Sequence, residues 1–313
     1  MRSRSVFIIG GIVVILMVAS LLFVSLLRSK APQDSASSGR MLVIGAESEY
    51  ANVLAQIGGR YVHAVGIMTN PNIDPHTYEA STVNATAVAR AALIVQNGMG
   101  YDAFMQTLEA AAPNPQRIVL VAAQIVGNRG SRPNPHVWYR PHAMQSVASA
   151  VAQSLGRLEP QHKAYFRQRL AAFDRSLAPW AKALAQLRSR YAGTEVVVTE
   201  PVADYLLQAA GLRIGTPWAF QVAIMNGQDP SPQDVATVES LIARHKAAVL
   251  VYNYQAVAPT TAALLTLAKQ HGVPVVGVYE TMPSGYNYQR WMLAETEDLH
   301  LAIAQHKSEV LVP

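Results

Sequence analysis

The chain has no cysteine in its 313 residues. That excludes disulfides, thiolate metal sites, iron–sulfur clusters, cysteine nucleophiles and a lipid-modified N-terminal cysteine. Charge is also sparse, at 14% of residues against 50% hydrophobic, which argues for packed structure over extended disorder. A basic stripe with interleaved aromatics is missing too. Four of the five excess positive charges are Arg2, Arg4, Arg28 and Lys30, in a stretch with no acid, so the remainder carries only +1. A nucleic-acid partner is set aside on that ground. Gly98-x-Gly100 lacks the third glycine of a dinucleotide fingerprint, and neither a Gly-x-Ser-x-Gly elbow nor a His-Glu-x-x-His pair occurs.

What is present begins with a long apolar run, Val6–Leu27, flanked by basic residues on both sides. A signal-peptide core is about 7–15 residues long and a spanning helix about 20, so the length favours a retained membrane anchor over a cleaved signal. Residues 1–30 are therefore expected to be the export device, followed by a small, polar tether over 31–40. From Met41 the chain alternates short apolar strands with helical runs, stops at Gly58-Gly59 and Gly98, and resumes the alternation after residue 193. Such alternation predicts an α/β fold with parallel sheets covered by helices. Ser81 and Ser231 are expected to cap helices. Between the halves, residues 160–190 are rich in Ala, Leu, Lys, Arg and Gln with helical spacing, and Pro179 is the one breaker. The expected organisation is an N-terminal α/β lobe over 41–157, a connecting helix over 158–192 and a C-terminal α/β lobe over 193–313.

Two turns place a histidine directly after a proline: Asp74-Pro75-His76-Thr77-Tyr78-Glu79 and Asn134-Pro135-His136-Val137-Trp138-Tyr139. Proline fixes its own φ and biases its predecessor towards extended backbone, so each imidazole is rigidly presented. One such histidine is ordinarily a loop residue with a hydrogen bond. The repetition, and two carboxylates downstream, favour a metal site instead. Glu200 follows the strand-like Glu195–Thr199, and Glu280 follows Val273–Tyr279. In open α/β sheets, ligands gather outside the carboxyl ends of the strands. Two imidazoles and two carboxylates suit manganese, zinc or ferrous iron, and suit copper(I) poorly. Asp204-Tyr205 and Asp229 are read as helix-surface and turn residues. Trp138, Tyr252, Tyr254 and Trp291 are read as packing around the cleft.

The two histidine turns, Pro141, the central helical stretch, Thr199–Leu212 and Val273–Pro283 with Tyr286–Met292 resemble one family. It is the extracytoplasmic solute-binding proteins that deliver zinc or manganese to ATP-binding-cassette importers, and the resemblance runs from Met41 to the C-terminus. It implies two α/β lobes joined by a rigid helix, a metal ligand set of His76, His136, Glu200 and Glu280, and Mn2+ or Zn2+ as transported cargo. It further implies a permease partner, a monomeric state, a place outside the cytoplasm and no enzymatic activity. The chain departs from the family pattern at Asn134, where an aspartate is usual, and at Asn253, where some members carry an acid. It also lacks a histidine-rich loop. The two-carboxylate set leans towards manganese. An exported metal-dependent hydrolase, or a tethered metal buffer or adhesin without a transporter, would use the same residues differently. On the metal-site reading, His76→Ala should abolish tight metal uptake while leaving the circular dichroism spectrum intact. An unaltered metal titration in that variant would remove His76 from the site.

Overall fold

The computed structural model describes residues 39–71, 78–128 and 133–308. The expected anchor at Val6–Leu27 and the turn histidine His76 lie outside the described residues. The chain divides into Met1–Arg40 and Met41–Pro313, and the second unit holds all the regular structure described below. None of the described helices is long and apolar enough to cross a membrane.

The first half runs β1 (Met41–Glu47), α1 (Ser48–Gly58), β2 (Val62–Met68), α2 (Thr82–Arg90), β3 (Leu93–Gln96), α3 (Ala103–Ala111), β4 (Ile118–Val121), α4 (Ala122–Ile125) and α5 (Ala143–Leu158). Its four strands are all parallel, in the order β2-β1-β3-β4. The central β1 is apolar and buried along most of its length, as expected of a strand covered on both faces. Towards its end, Gly45 lies where a Cβ would collide with the backbone of Tyr50 and Ala51. That close approach folds α1 back against its own strand and carries Glu47 and Glu49 to the sheet's carboxyl edge. Ser81 caps α2, accepting from the Asn84 N–H.

The second half repeats the plan with β5 (Glu195–Val198), α8 (Asp204–Ala209), β6 (Arg213–Ile214), α9 (Trp218–Met225), α10 (Pro232–Ala243), β7 (Leu250–Asn253), α11 (Pro259–Gln270), β8 (Val275–Val278) and α12 (Tyr288–Gln305). The order is β6-β5-β7-β8, again parallel, with Val198 beside Val251 and Val251 beside Val276. Ser231 caps α10 as expected.

Between the sheets run α6 (Lys163–Ser176) and α7 (Ala178–Tyr191), separated by Leu177. Pro179 stands at the start of α7, where its missing N–H leaves no intrahelical bond broken. Leu177 keeps helical backbone angles and the Ala181 N–H reaches its carbonyl, so the junction stays stiff. The indole of Trp180 donates to Thr296 of α12 at 3.0 Å. Gln289 of α12 exchanges bonds with Gln56 of α1 at 3.0 and 2.9 Å and donates to Ser176 at 2.8 Å. One apolar cluster runs through both halves and these helices.

Glu295 of α12 is fully buried and accepts from the Trp291 indole at 2.7 Å. Burial pushes its pKa up to about 8 from 4.5. The folded protein therefore holds a proton there that the unfolded chain releases above pH 4.5. Stability from this group is complete below the lower value and is lost as pH rises towards the upper one. Glu295→Gln should then melt several degrees higher than the parent near pH 8 and little differently near pH 4.5. Parallel melting curves at both ends of that window would show that the carboxyl ionises freely in the fold.

Candidate metal centre

The turn bearing His136 follows the first sheet's last strand and is tied down on every side. Asn97, just past β3, donates to the Pro135 carbonyl at 2.9 Å and accepts from the Tyr50 hydroxyl at 2.7 Å. From the second half, Tyr288 donates to the Trp138 carbonyl at 2.6 Å and Tyr205 to the Asn134 carbonyl at 3.1 Å. The Tyr139 hydroxyl donates in return to the Tyr279 carbonyl at 2.8 Å. Of the aromatics read as packing residues, Trp138, Tyr252 and Trp291 are buried and Tyr254 is half-buried.

Asn134 fixes the imidazole itself. Its Nδ2 donates to the Pro201 carbonyl at 2.6 Å, which orients the amide. Its Oδ1 faces the His136 backbone N–H at 3.0 Å and Nδ1 at 2.7 Å. An amide oxygen only accepts, so Nδ1 carries the hydrogen and Nε2 is the nitrogen turned towards the cleft. Nε2 lies 3.1 Å from Glu280 Oε2, across from one sheet to the other. Both partners are fully buried. That separation suits either a hydrogen bond through a proton on one of the two groups or two donors turned towards one bound cation.

The two carboxylates arrive from the strands on either side of β7. Glu200 lies just past β5 and Glu280 just past β8, while β7 between them ends in Asn253. Asn253 Nδ2 donates to Glu200 Oε2 at 2.5 Å and to Glu280 Oε1 at 2.7 Å. Its backbone N–H donates to the Thr199 hydroxyl at 3.0 Å. Gln255 holds the loop after β8 by accepting from the backbone N–H groups of Glu280 and Thr281 at 2.6 and 3.0 Å. Each carboxylate is thus buried with hydrogen-bond partners, as burial of such a group requires.

Three of the four sequence-derived residues, His136, Glu200 and Glu280, therefore join one hydrogen-bonded constellation at the facing carboxyl edges of the two sheets. His76 lies outside the described residues. Among the described residues, no three or more His, Cys, Asp or Glu side chains are grouped closely enough to hold a metal ion by themselves.

Sequence reasoning missed two groups. Glu49, in the first turn of α1, is fully buried, and that burial pushes its pKa up to about 8 while the negative charge of Glu280 adds to it. It accepts from the Ser48 hydroxyl at 3.3 Å and from the Met282 backbone N–H. Glu47 is raised well above the usual range by burial, with Asp102 and Glu49 adding to it. The available signal was two acids directly after an apolar strand. The second miss is Asn253, whose amide spans the carboxylate pair. One expectation is corrected: Asp204 is buried, not a helix-surface residue, because the short α8 packs against the Val137–Tyr139 turn.

Comparison with known proteins gives a consistent outcome. The family model described as ZnuA, zinc-uptake complex component A, periplasmic, matches residues 43–302. The zinc-binding protein TroA of Treponema pallidum is 29% identical over 150 residues, covering 46% of this chain and 48% of that protein. The matched stretch thus spans about half of that relative. The manganese transporter substrate-binding lipoprotein PsaA of Streptococcus pneumoniae is 22% identical over 242 residues, covering 72% of this chain and 76% of that protein. The solved structure of the Treponema pallidum periplasmic zinc-binding protein superposes with a TM-score of 0.71 at 21% identity, covering 86% of this chain and all of that one, and bears on the fold.

If His136 binds an ion through Nε2, its outer partner orients the imidazole and tunes its basicity, and Asn134→Ala should weaken metal binding by roughly ten- to a hundredfold. Isothermal titration would measure it, and an affinity equal to the parent's would show that His136 is oriented without Asn134.

Proposed function

The chain belongs to the ZnuA family of periplasmic zinc-uptake components, and on that premise we propose that it captures a divalent transition-metal ion outside the cytoplasm for an ATP-binding-cassette importer. The observation that carries this reading is the buried His136–Glu280 contact between the two halves, with Glu200 joined to it through Asn253. The proposed ligands are His136, Glu200 and Glu280, with His76 completing the set from the Asp74–Glu79 turn. The cargo is zinc or manganese, as the printed names of relatives say of those proteins.

The ion would bind between His136 Nε2 and Glu280 Oε2, drawing on carboxylates already held out of water. Because α6 and α7 form a stiff connection and α12 is bonded to α1, α6 and α7, binding is expected with little change in the angle between the sheets. The protein would act as a monomer, attached to the membrane through residues 6–27, and pass its ion to a membrane permease. Membership of a transport family, and a proposed set of four donors that would leave no open position for a reacting water, favour this over a hydrolase.

Ligating imidazoles must be neutral, so protons compete with the ion. Metal affinity should fall as pH drops through the histidine range and be regained above it. Elemental analysis and zinc–manganese competition on the full-length protein and on His136→Ala test the reading. The parent should carry close to one equivalent and the variant almost none. Equal metal content in both, or affinity independent of pH through mild acid, would refute it.

A further inference from the structure

The amide of Asn253 is buried between the two carboxylates and has no rotational freedom left. Its Oδ1 accepts from the Gln255 backbone N–H at 3.0 Å, which fixes which end of the amide is nitrogen. The two hydrogens on Nδ2 then go one to each acid, to Glu200 Oε2 at 2.5 Å and Glu280 Oε1 at 2.7 Å. One oxygen of each carboxylate is thereby committed. The other oxygen of Glu280 is the one that faces His136.

We propose that Asn253 is a specificity-determining positioning residue: by holding one oxygen of each carboxylate, it makes both acids monodentate and shapes the site for a four-coordinate ion such as zinc over manganese. The inference rests on the metal-capture reading above. Nitrogen and oxygen sites already favour zinc over manganese in the ordinary affinity order, so a manganese site must work through geometry. Manganese takes an octahedral, oxygen-rich shell, whereas zinc is satisfied by four donors in a tetrahedron. Bidentate carboxylates are the simplest route to extra oxygens, and the Asn253 amide competes for one oxygen of each acid. Its own nitrogen, a donor, offers nothing to a cation. The number of carboxylates alone points to manganese, but their hydrogen bonding points the other way. Asn253 is 1% exposed, so water has no ready access to replace the amide if it is removed.

The test uses full-length protein loaded with cobalt(II), whose visible absorption is intense in tetrahedral sites and weak in five- or six-coordinate ones, together with zinc–manganese competition. The parent should give the intense band. Asn253→Ala should lose intensity, and its zinc-over-manganese preference should fall on the order of tenfold, equal to about 1.4 kcal/mol. Asn253→Asp, nearly isosteric and without the two donors, should shift the same way and serves if the alanine variant fails to fold by circular dichroism. Folded variants with the parent's band and preference would overturn the proposal while leaving metal capture standing, as would a weak band in the parent. Failure of the parent to take up cobalt or zinc at all would sink both.

Discussion

A carboxylate removed from water must be neutralised, hydrogen-bonded or paired, since leaving it bare costs several kcal/mol. Glu280 is fully buried at the junction of the two halves, and this constraint organises the surrounding structure. An imidazole meets one of its oxygens and an amide the other. Gln255 takes its backbone N–H, and the Tyr101 hydroxyl lies against it, its own pKa raised by burial and by that negative charge. With Glu49 and Glu200 beside it, the site concentrates acid groups in a place without solvent. Such a place has a strong electrostatic demand for a cation.

The fold supplies this demand from rigid parts. Parallel sheets end their strands at one edge, and each half turns that edge towards the other. The His136 turn is bonded to Pro201, Tyr205, Tyr279 and Tyr288 of the second half as well as to Asn97 of the first. On the far side, Trp180 and Gln289 fasten the connecting helices to α12. On the proposed reading, such a receptor would select its ion by the placement of donors fixed in advance.

Much of the fold was legible because strand and helix periods alternate cleanly. Ser81 and Ser231 cap where their hydroxyls predicted. Two elements were not legible. β6 is two residues long and defined only by its pairing with β5. α9, Trp218–Met225, is apolar on nearly every side, so it carries no helical period to read. In the site, Glu200, Glu280 and His136 could be found because they follow strands or a proline. Glu49 could not, because an acid in a helix's first turn is usually exposed and serves the helix dipole. Only tertiary packing against Met282 and Glu280 buries it. Asp204 was misread for the same reason. Asn253 was visible as a departure from the family pattern, but its double hydrogen bond depends on three strands lying side by side.

The central claim is that side chains from both halves close around one ion. X-ray absorption at the metal edge of the loaded full-length protein tests it most directly. The account predicts a first shell of imidazole nitrogen and carboxylate oxygen, with the multiple scattering of histidine present. A shell of oxygen alone, with no imidazole signature, would contradict it.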